Sequence, residues 1–213
     1  MTQYSLFGAA AAQPSVDDLD GLLLAGGQWV RSGAGARLSV VVADRWRADA
    51  LHDAFAERGV ATTPDDAVVE ANSGFGVRTA FGPELIARAA RWTRGSRQGL
   101  PPDFQLAAGS LRLWALAAGR PDDVGYLLTT AGVDDATHRT AGAQLARLGV
   151  AAVSVSRRGS RDHRGWRVTS GRRLRRLIEL LGPAPSGGAA SWPAALPGRP
   201  QSDPSGGGSL ADH

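Results

Sequence analysis

Between Ala151 and Gly182 the chain places nine arginines against two acids, a net of +7, whereas Ser15 to Glu70 holds five arginines against ten acids, a net of −5. A guanidinium pairs bidentately with phosphate or with a guanine edge, so the basic end points to a polyanionic partner. Its densest part is Arg157-Arg-Gly-Ser-Arg-Asp-His-Arg164, followed by Arg172, Arg173, Arg175 and Arg176. All 24 basic residues are arginine, and Ala and Gly are abundant, as a GC-rich genome would dictate. Genomic bias accounts for the number of arginines but not for their segregation to one end.

Other chemistries lack their residues. With no lysine there is no phosphate-binding G-x-x-x-x-G-K loop. Gly33-Ala-Gly35 and Gly74-Phe-Gly76 lack the third glycine of a dinucleotide fingerprint and read as turns. No G-x-S-x-G elbow occurs, and His52, His138, His163 and His213 have no zinc-type pairing. The absence of cysteine removes disulfides and thiolate metal sites. No apolar run reaches the roughly 20 residues of a membrane span. Met1 to Pro14 has no basic n-region, so a signal peptide is not expected and a cytoplasmic protein is.

The elements that would carry these residues come in two copies. Asp44 to Val60 aligns with Asp134 to Val150 at an offset of 134 − 44 = 90, and both read as helices closed by a glycine, Gly59 or Gly149. A strand precedes each helix, at 37–42 and 125–129. Two more follow: near 60–63 or 68–70 and then 75–80 in the first copy, and at 151–156 and 165–169 in the second. Each copy closes with a helix, at 83–94 (Pro83 first) and 172–181 (Ser170 as N-cap). The chain divides into a flexible N-terminus (1–14), repeat one (15–95), a linker (96–109), repeat two (110–182) and a disordered Pro/Gly/Ser-rich tail (183–213) that adds nothing to the core.

Each copy opens with a helix of small and branched apolar residues. Ser15 can cap the first, which runs Leu19-Asp-Gly-Leu-Leu-Leu-Ala-Gly-Gly27; Ser110 can cap the second, Leu111-Arg-Leu-Trp-Ala-Leu-Ala-Ala-Gly119. These nonamers resemble the LAGLIDADG homing endonuclease motif and, more loosely, its WhiA-type bacterial regulator relatives. Leu19, Gly21, Leu22, Leu23, Ala25 and Gly27 match or approximate the motif in one copy, and Leu111, Ala117 and Gly119 match it in the other, where Leu113 replaces a small residue. The resemblance implies an α+β fold of two pseudo-symmetric αββαββα repeats whose antiparallel sheets form a saddle on double-stranded DNA. It also implies motif helices packed at the pseudo-twofold axis through Gly21, Ala25, Gly26, Ala117 and Ala118. The eighth motif position, an acid in the family's shared Mg²⁺ site, is Gly26 here and Ala118 in the second copy. Hard cations need oxygen donors, so neither metal nor cofactor nor catalysis is expected. Asp20, Asp122 and Asp123 do not match that position, though Asp20 or Asp122 leaves a residual nuclease open as an alternative.

Parity along half-exposed strands sorts their faces. Leu38, Val40 and Val42 suit the core and leave Arg37, Ser39 and Val41 on the open side. Arg78 opposes the Val77/Thr79 face, and Arg167 and Thr169 oppose Trp166 and Val168. The expected DNA contacts are therefore Arg37, Ser39, Arg78 and Arg167, the basic hairpin Arg157, Arg158, Arg161 and Arg164, and the helix residues Arg172 and Arg173. Those last two stand in a helix's first turns, where the dipole costs a cation roughly 0.3–1 kcal/mol unless a polyanion offsets it. Together these observations describe a monomeric pseudo-dimer that binds DNA without cutting it, as a regulator or nucleoid-associated factor. An alternative is a protein–protein adaptor whose arginine content is genomic.

Overall fold

A computed structural model describes residues 13–63, 68–69, 74–95, 97–130, 132–157 and 160–194. Repeat one runs α1 (Asp20–Leu24), β1 (Gln28–Ser32), β2 (Gly35–Val42), α2 (Arg45–Ala56), β3 (Val68–Val69), β4 (Gly74–Arg78) and α3 (Ile86–Arg91). A small hairpin follows, β5 (Thr93–Arg94) with β6 (Arg97–Gln98). Repeat two runs α4 (Ala108–Ala118), β7 (Gly119–Asp122), β8 (Gly125–Thr129), α5 (Asp135–Arg147), β9 (Val153–Arg157), β10 (Ser160–Val168) and α6 (Gly171–Leu181). Both repeats are αββαββα, and their antiparallel sheets share one order, β1-β2-β4-β3 and β7-β8-β10-β9.

The duplication reaches residue register. The hairpin pair Ser32↔Gly35 has its counterpart in Asp122↔Gly125, an offset of 122 − 32 = 90, the same as between the α2 and α5 segments. The first strand of each hairpin is absent from the sequence reading. Gln-Trp-Val-Arg-Ser has only its Trp29 partly covered, and Gly-Arg-Pro-Asp has no β-branched residue, so neither carries an apolar alternation.

Helix ends follow local chemistry. Ser15 and Asp18 form a capping box before a 3₁₀ turn (Val16–Leu19) that leads into α1. Gly59 and Gly149 adopt φ of 66° and 80°, and the amides of Val60 and Val150 return to the carbonyls of Phe55 and Leu145. That 6→1 bond is the Schellman closure a C′ glycine permits. Ser110 departs from expectation. The second motif helix begins at Ala108 with Ala107 as N-cap, and Ser110 is buried inside it. Ser170 holds its N-cap position but makes no side-chain capping bond.

Helices cover one face of each sheet. Leu38, Val40, Val42 and Val77 join one core with Leu51 and Phe55 of α2, Leu111, Leu113 and Trp114 of α4, and Leu174, Leu177 and Leu181 of α6. α1 packs on α4, and α4 on α2 and α6, so the repeat-two motif helix is the centre of the molecule.

The linker and the start of the tail both contribute to the core. In the 96–109 linker Phe104 and Leu106 are buried, and Gln144 of α5 accepts from the Leu106 amide at 3.3 Å and donates to the Phe104 carbonyl at 3.0 Å. Phe104 meets Trp92 edge to face, with ring centroids 5.6 Å apart. The expectation that everything past Gly182 lies outside the core is corrected for 183–194. Trp192 is 6% exposed, donates from Nε1 to the Gly182 carbonyl at 3.0 Å and lies under the Arg112 guanidinium. Residues 195–213 lie outside the described residues.

Candidate nucleic-acid interface

The chemistry divides between the motif helices and the helix-free faces of the two sheets. At the helix contact, Gly21 lies against the Ser110 backbone of α4, so closely that a Cβ would collide with the Ser110 carbonyl. Around it, Asp18 accepts from Arg58 Nε and Nη2 at 3.1 and 2.8 Å, and Asp20 accepts from Arg88 at 2.8 Å and from Trp92 Nε1 at 2.8 Å. Burial pushes the Asp20 carboxyl up to about 6, against the opposing pull of the Trp92 hydrogen bond and the Arg91 charge.

The rest of the expected helix contact is redistributed. α1 ends at Leu24; Ala25 is its C-cap, and Gly26 follows at φ 89° in a turn. Ala117 is buried within α4, while Ala118 is half-buried at its last position and accepts at its carbonyl from Thr129 Oγ1 at 3.2 Å. Gly26 borders a cleft of about 360 Å³ together with Gly27, Trp29, Gln98, Asp134 and Thr137. Asp134 is the one carboxylate lining it, and it is spent as the N-cap of α5, accepting from Thr137 N at 2.7 Å, a bond that holds its carboxyl below the usual range. Among the described residues no three His, Cys, Asp or Glu side chains gather where a metal could bind. The surroundings of Gly26 do not fit a hard divalent cation.

The open face of the first sheet is built by register. Val30 pairs with Arg37, Gln28 with Ser39, Ser39 with Arg78, and Val41 with Gly76. Directly paired residues share a face, so Arg37, Ser39, Arg78, Val30 and Val41 form one surface, opposite buried Leu38, Val40 and Val77. Among the described residues no acidic side chain stands on this face. The Arg37 guanidinium stacks over Phe81 at 4.7 Å, and its Nε has no hydrogen-bond partner. The second sheet gives the row Arg120, Leu127, Arg167, Val153 across three strand pairs. Arg167 there ion-pairs with Asp122, and Leu127 is buried yet stands apart from the main core.

Several expected contacts have other occupations. Arg164 is drawn into the fold, ion-paired with Asp135 and donating to the Val133 carbonyl ahead of α5. Its guanidinium is thus engaged within the fold rather than extended from the hairpin. Arg157 and Arg161 lie on β9 and β10, but their side chains, like all of Arg158, are outside the described residues. Arg172 and Arg173 are exposed on α6 rather than on a sheet. Arg120 and Val30 were missed because the strands that carry them have no apolar signal; the β-turn two residues before each second strand was the available clue.

Arginines unremarkable in the sequence turn out to be structural. Arg47, 5% exposed, donates from Nη1 to Ala115 O (3.3 Å) and Leu116 O (2.7 Å), from Nη2 to Gly119 O (2.7 Å), and from Nε to Asp44 (2.9 Å). A cation thus closes the C-terminus of α4, where the helix dipole favours it. Arg112 does the same for α6, donating to the carbonyls of Leu181 and Pro183.

No family model and no curated protein sequence matches the chain. Solved structures do. The N-terminal LAGLIDADG domain of DUF199/WhiA superposes with a TM-score of 0.53 at 12% identity, covering 78% of this chain and 80% of that one. The homing endonuclease I-WcaI, bound to its DNA recognition sequence, gives 0.55 at 10% identity with the same coverages. Full-length DUF199/WhiA from Thermatoga maritima gives 0.55 at 11% identity; 78% of this chain is covered, which spans about half (54%) of that protein. Likeness at such identity establishes architecture, and the architecture is clear: mixed helix and strand, antiparallel sheets, a LAGLIDADG-like fold.

Proposed function

We propose that this protein binds double-stranded DNA through the open faces of its two sheets, as a monomeric pseudo-dimer, without cleaving it. The observation that carries the reading is the surface of Arg37, Ser39 and Arg78, acid-free among the described residues, continued on the second sheet by Arg120 and by Arg167, which pairs with Asp122. Side chains on a sheet reach base edges and phosphates when the sheet lies along a groove. Three of the five exposed large hydrophobics among the described residues, Val30, Val41 and Val153, stand on these same faces, where apolar side chains can meet thymine methyls. The likeness to an endonuclease bound to its DNA recognition sequence supports DNA as the ligand. Loss of catalysis is supported by Gly26 and Ala118 at the eighth motif positions and by the engagement of Asp20, Asp122 and Asp134 in internal bonds. Metal-assisted phosphodiester cleavage needs carboxylates fixed at the scissile phosphate. A role in transcription or in the nucleoid is the cellular form of this proposal.

Gel shifts across a salt series test it. If Arg37, Arg78, Arg120 and Arg167 each neutralise a phosphate, log K falls with log salt at a slope of about −4. Arg37→Gln/Arg78→Gln should flatten that slope by about 2. Plasmid incubated with protein and Mg²⁺ or Mn²⁺ should stay intact. A slope near zero would return the arginines to genomic bias and favour an adaptor, and nicked plasmid would restore the nuclease.

A further inference from the structure

α6 is amphipathic in an extreme form. Leu174, Leu177 and Leu181 are buried against the core, and α6 packs on α4. Arg172, Arg173 and Arg175 are exposed, and Arg176 is half-buried, donating to Glu179 at 3.2 Å and to the Leu148 carbonyl at 3.4 Å. The four arginines and Ser170 line a cleft of about 640 Å³ together with Glu179, the carboxylate paired with Arg176, and Gly149 at the end of α5 closes one side. At 100° per residue Arg172 and Arg176 stand opposite the leucine stripe, with Arg173 and Arg175 flanking them. Those leucines join the core on the covered side of the sheets, so the arginines of α6 stand on the helical side and not on the open sheet faces. The two sets of arginines therefore belong to different surfaces.

We propose that the α6 cleft is a second phosphate-binding surface that holds the backbone of a second DNA duplex, an inference that rests on the sheet faces binding the first. Three features favour it. The first turn of this 11-residue helix has no side-chain cap, so its amides and its dipole add to the four guanidinium groups. The arginines sit at the end of the helix where cations cost most, a cost that a bound polyanion removes. The cleft lining has no apolar or aromatic side chain, which protein partners use as anchors and phosphate backbones do not require. Neither end of the sequence carries an acidic run: residues 195–213 have two acids and one arginine, and residues 1–12 no charged side chain. A protein with both surfaces bridges duplexes.

The test is capture of a fluorescent duplex by a second, bead-bound duplex, with single-duplex affinity measured in parallel. Wild-type protein should bridge. Arg172→Gln/Arg173→Gln/Arg175→Gln, checked for folding by circular dichroism, should lower capture at least tenfold while single-duplex Kd stays within threefold. Arg37→Gln/Arg78→Gln should weaken both. Capture unchanged in the α6 variant overturns the inference, as does an α6 variant that loses single-duplex affinity as fully as the sheet variant. Titration with inorganic polyphosphate separates this inference from the first proposal. Binding lost only in the α6 variant supports the cleft even if no duplex binds the sheets; equal binding by all three proteins, or poly-glutamate binding as tight as polyphosphate, overturns it.

Discussion

Replacing Arg47 with methionine tests whether the two repeats are held together by one buried cation. The side chain leaves α2 of repeat one and ends on three carbonyls at the C-terminus of α4 in repeat two. Methionine keeps most of the aliphatic volume and removes the charge. Ala115 O would retain the bond it accepts from the Gly119 amide, so the loss falls on Leu116 O and Gly119 O. Each such charge-assisted bond is worth about 1.5–3 kcal/mol when the remaining partner stays buried. Asp44 is half exposed and loses little when its partner goes. Better burial of an apolar side chain offsets about 1–2 kcal/mol. The net expectation is a loss of about 2–4 kcal/mol, a large part of the ~5–15 kcal/mol that holds a domain of ordinary stability. Urea unfolding followed by tryptophan fluorescence measures it, with Arg45→Met as control. Arg45 pairs with Asp49 at the surface (side-chain exposures 61% and 57%), and its replacement should cost no more than about 0.5 kcal/mol. A loss below about 1 kcal/mol for Arg47→Met, or equal losses for the two variants, would refute the reasoning.

Gly21→Val should prevent close packing of α1 on α4 and cost more than about 3 kcal/mol, since the new Cβ meets backbone that cannot rotate away; Gly33→Ala, where nothing lies within 4 Å, should change the unfolding midpoint little. Trp192→Ala should lower stability by about 3 kcal/mol in thermal denaturation, and an unchanged Tm would return the Pro/Gly segment to irrelevance. His138 donates or accepts at Thr130 Oγ1 (2.8 Å) and Ser154 Oγ (3.0 Å) and stacks on Trp166; burial, then the Arg164 charge, push its pKa below the usual value. The unfolded chain therefore takes up that proton first as pH falls below about 6.5, and stability from this group declines from there downward. The difference in urea midpoint between wild type and His138→Gln should shrink between pH 7.5 and pH 5, and a constant difference would refute it. Asp20 works in the opposite sense. With its carboxyl raised to about 6, folding holds that proton more tightly than the unfolded chain, so this group favours the folded state as pH falls from 6 toward 4; Asp20→Asn should remove that component.

What could be read from the sequence alone was whatever repeats or alternates. The 90-residue offset, the amphipathic faces of α2, α5 and α6, the C′ glycines and the parity of β2 all follow from neighbours a few residues apart, whose geometry the backbone fixes. Strands β1 and β7 escaped because one is half polar and the other has no strand-forming side chain. They exist because β2 and β8 offer hydrogen bonds at a two-residue turn. The linker and Trp192 escaped because burial depends on a receiving surface far along the chain. Above all, the sequence could say that arginine was plentiful and where it was concentrated, but not which arginines are available to a ligand. A guanidinium on a long flexible stem takes its partner from whatever the fold brings within reach. Arg47 reached helix carbonyls some 70 residues away, Arg58 and Arg88 reached buried aspartates, and Arg164 reached Asp135, while Arg37, Arg78, Arg172 and Arg173 were left facing outward. Periodicity is a local property and survives in one dimension; the pairing of a charge is a contact across the chain, and only the packed molecule decides it.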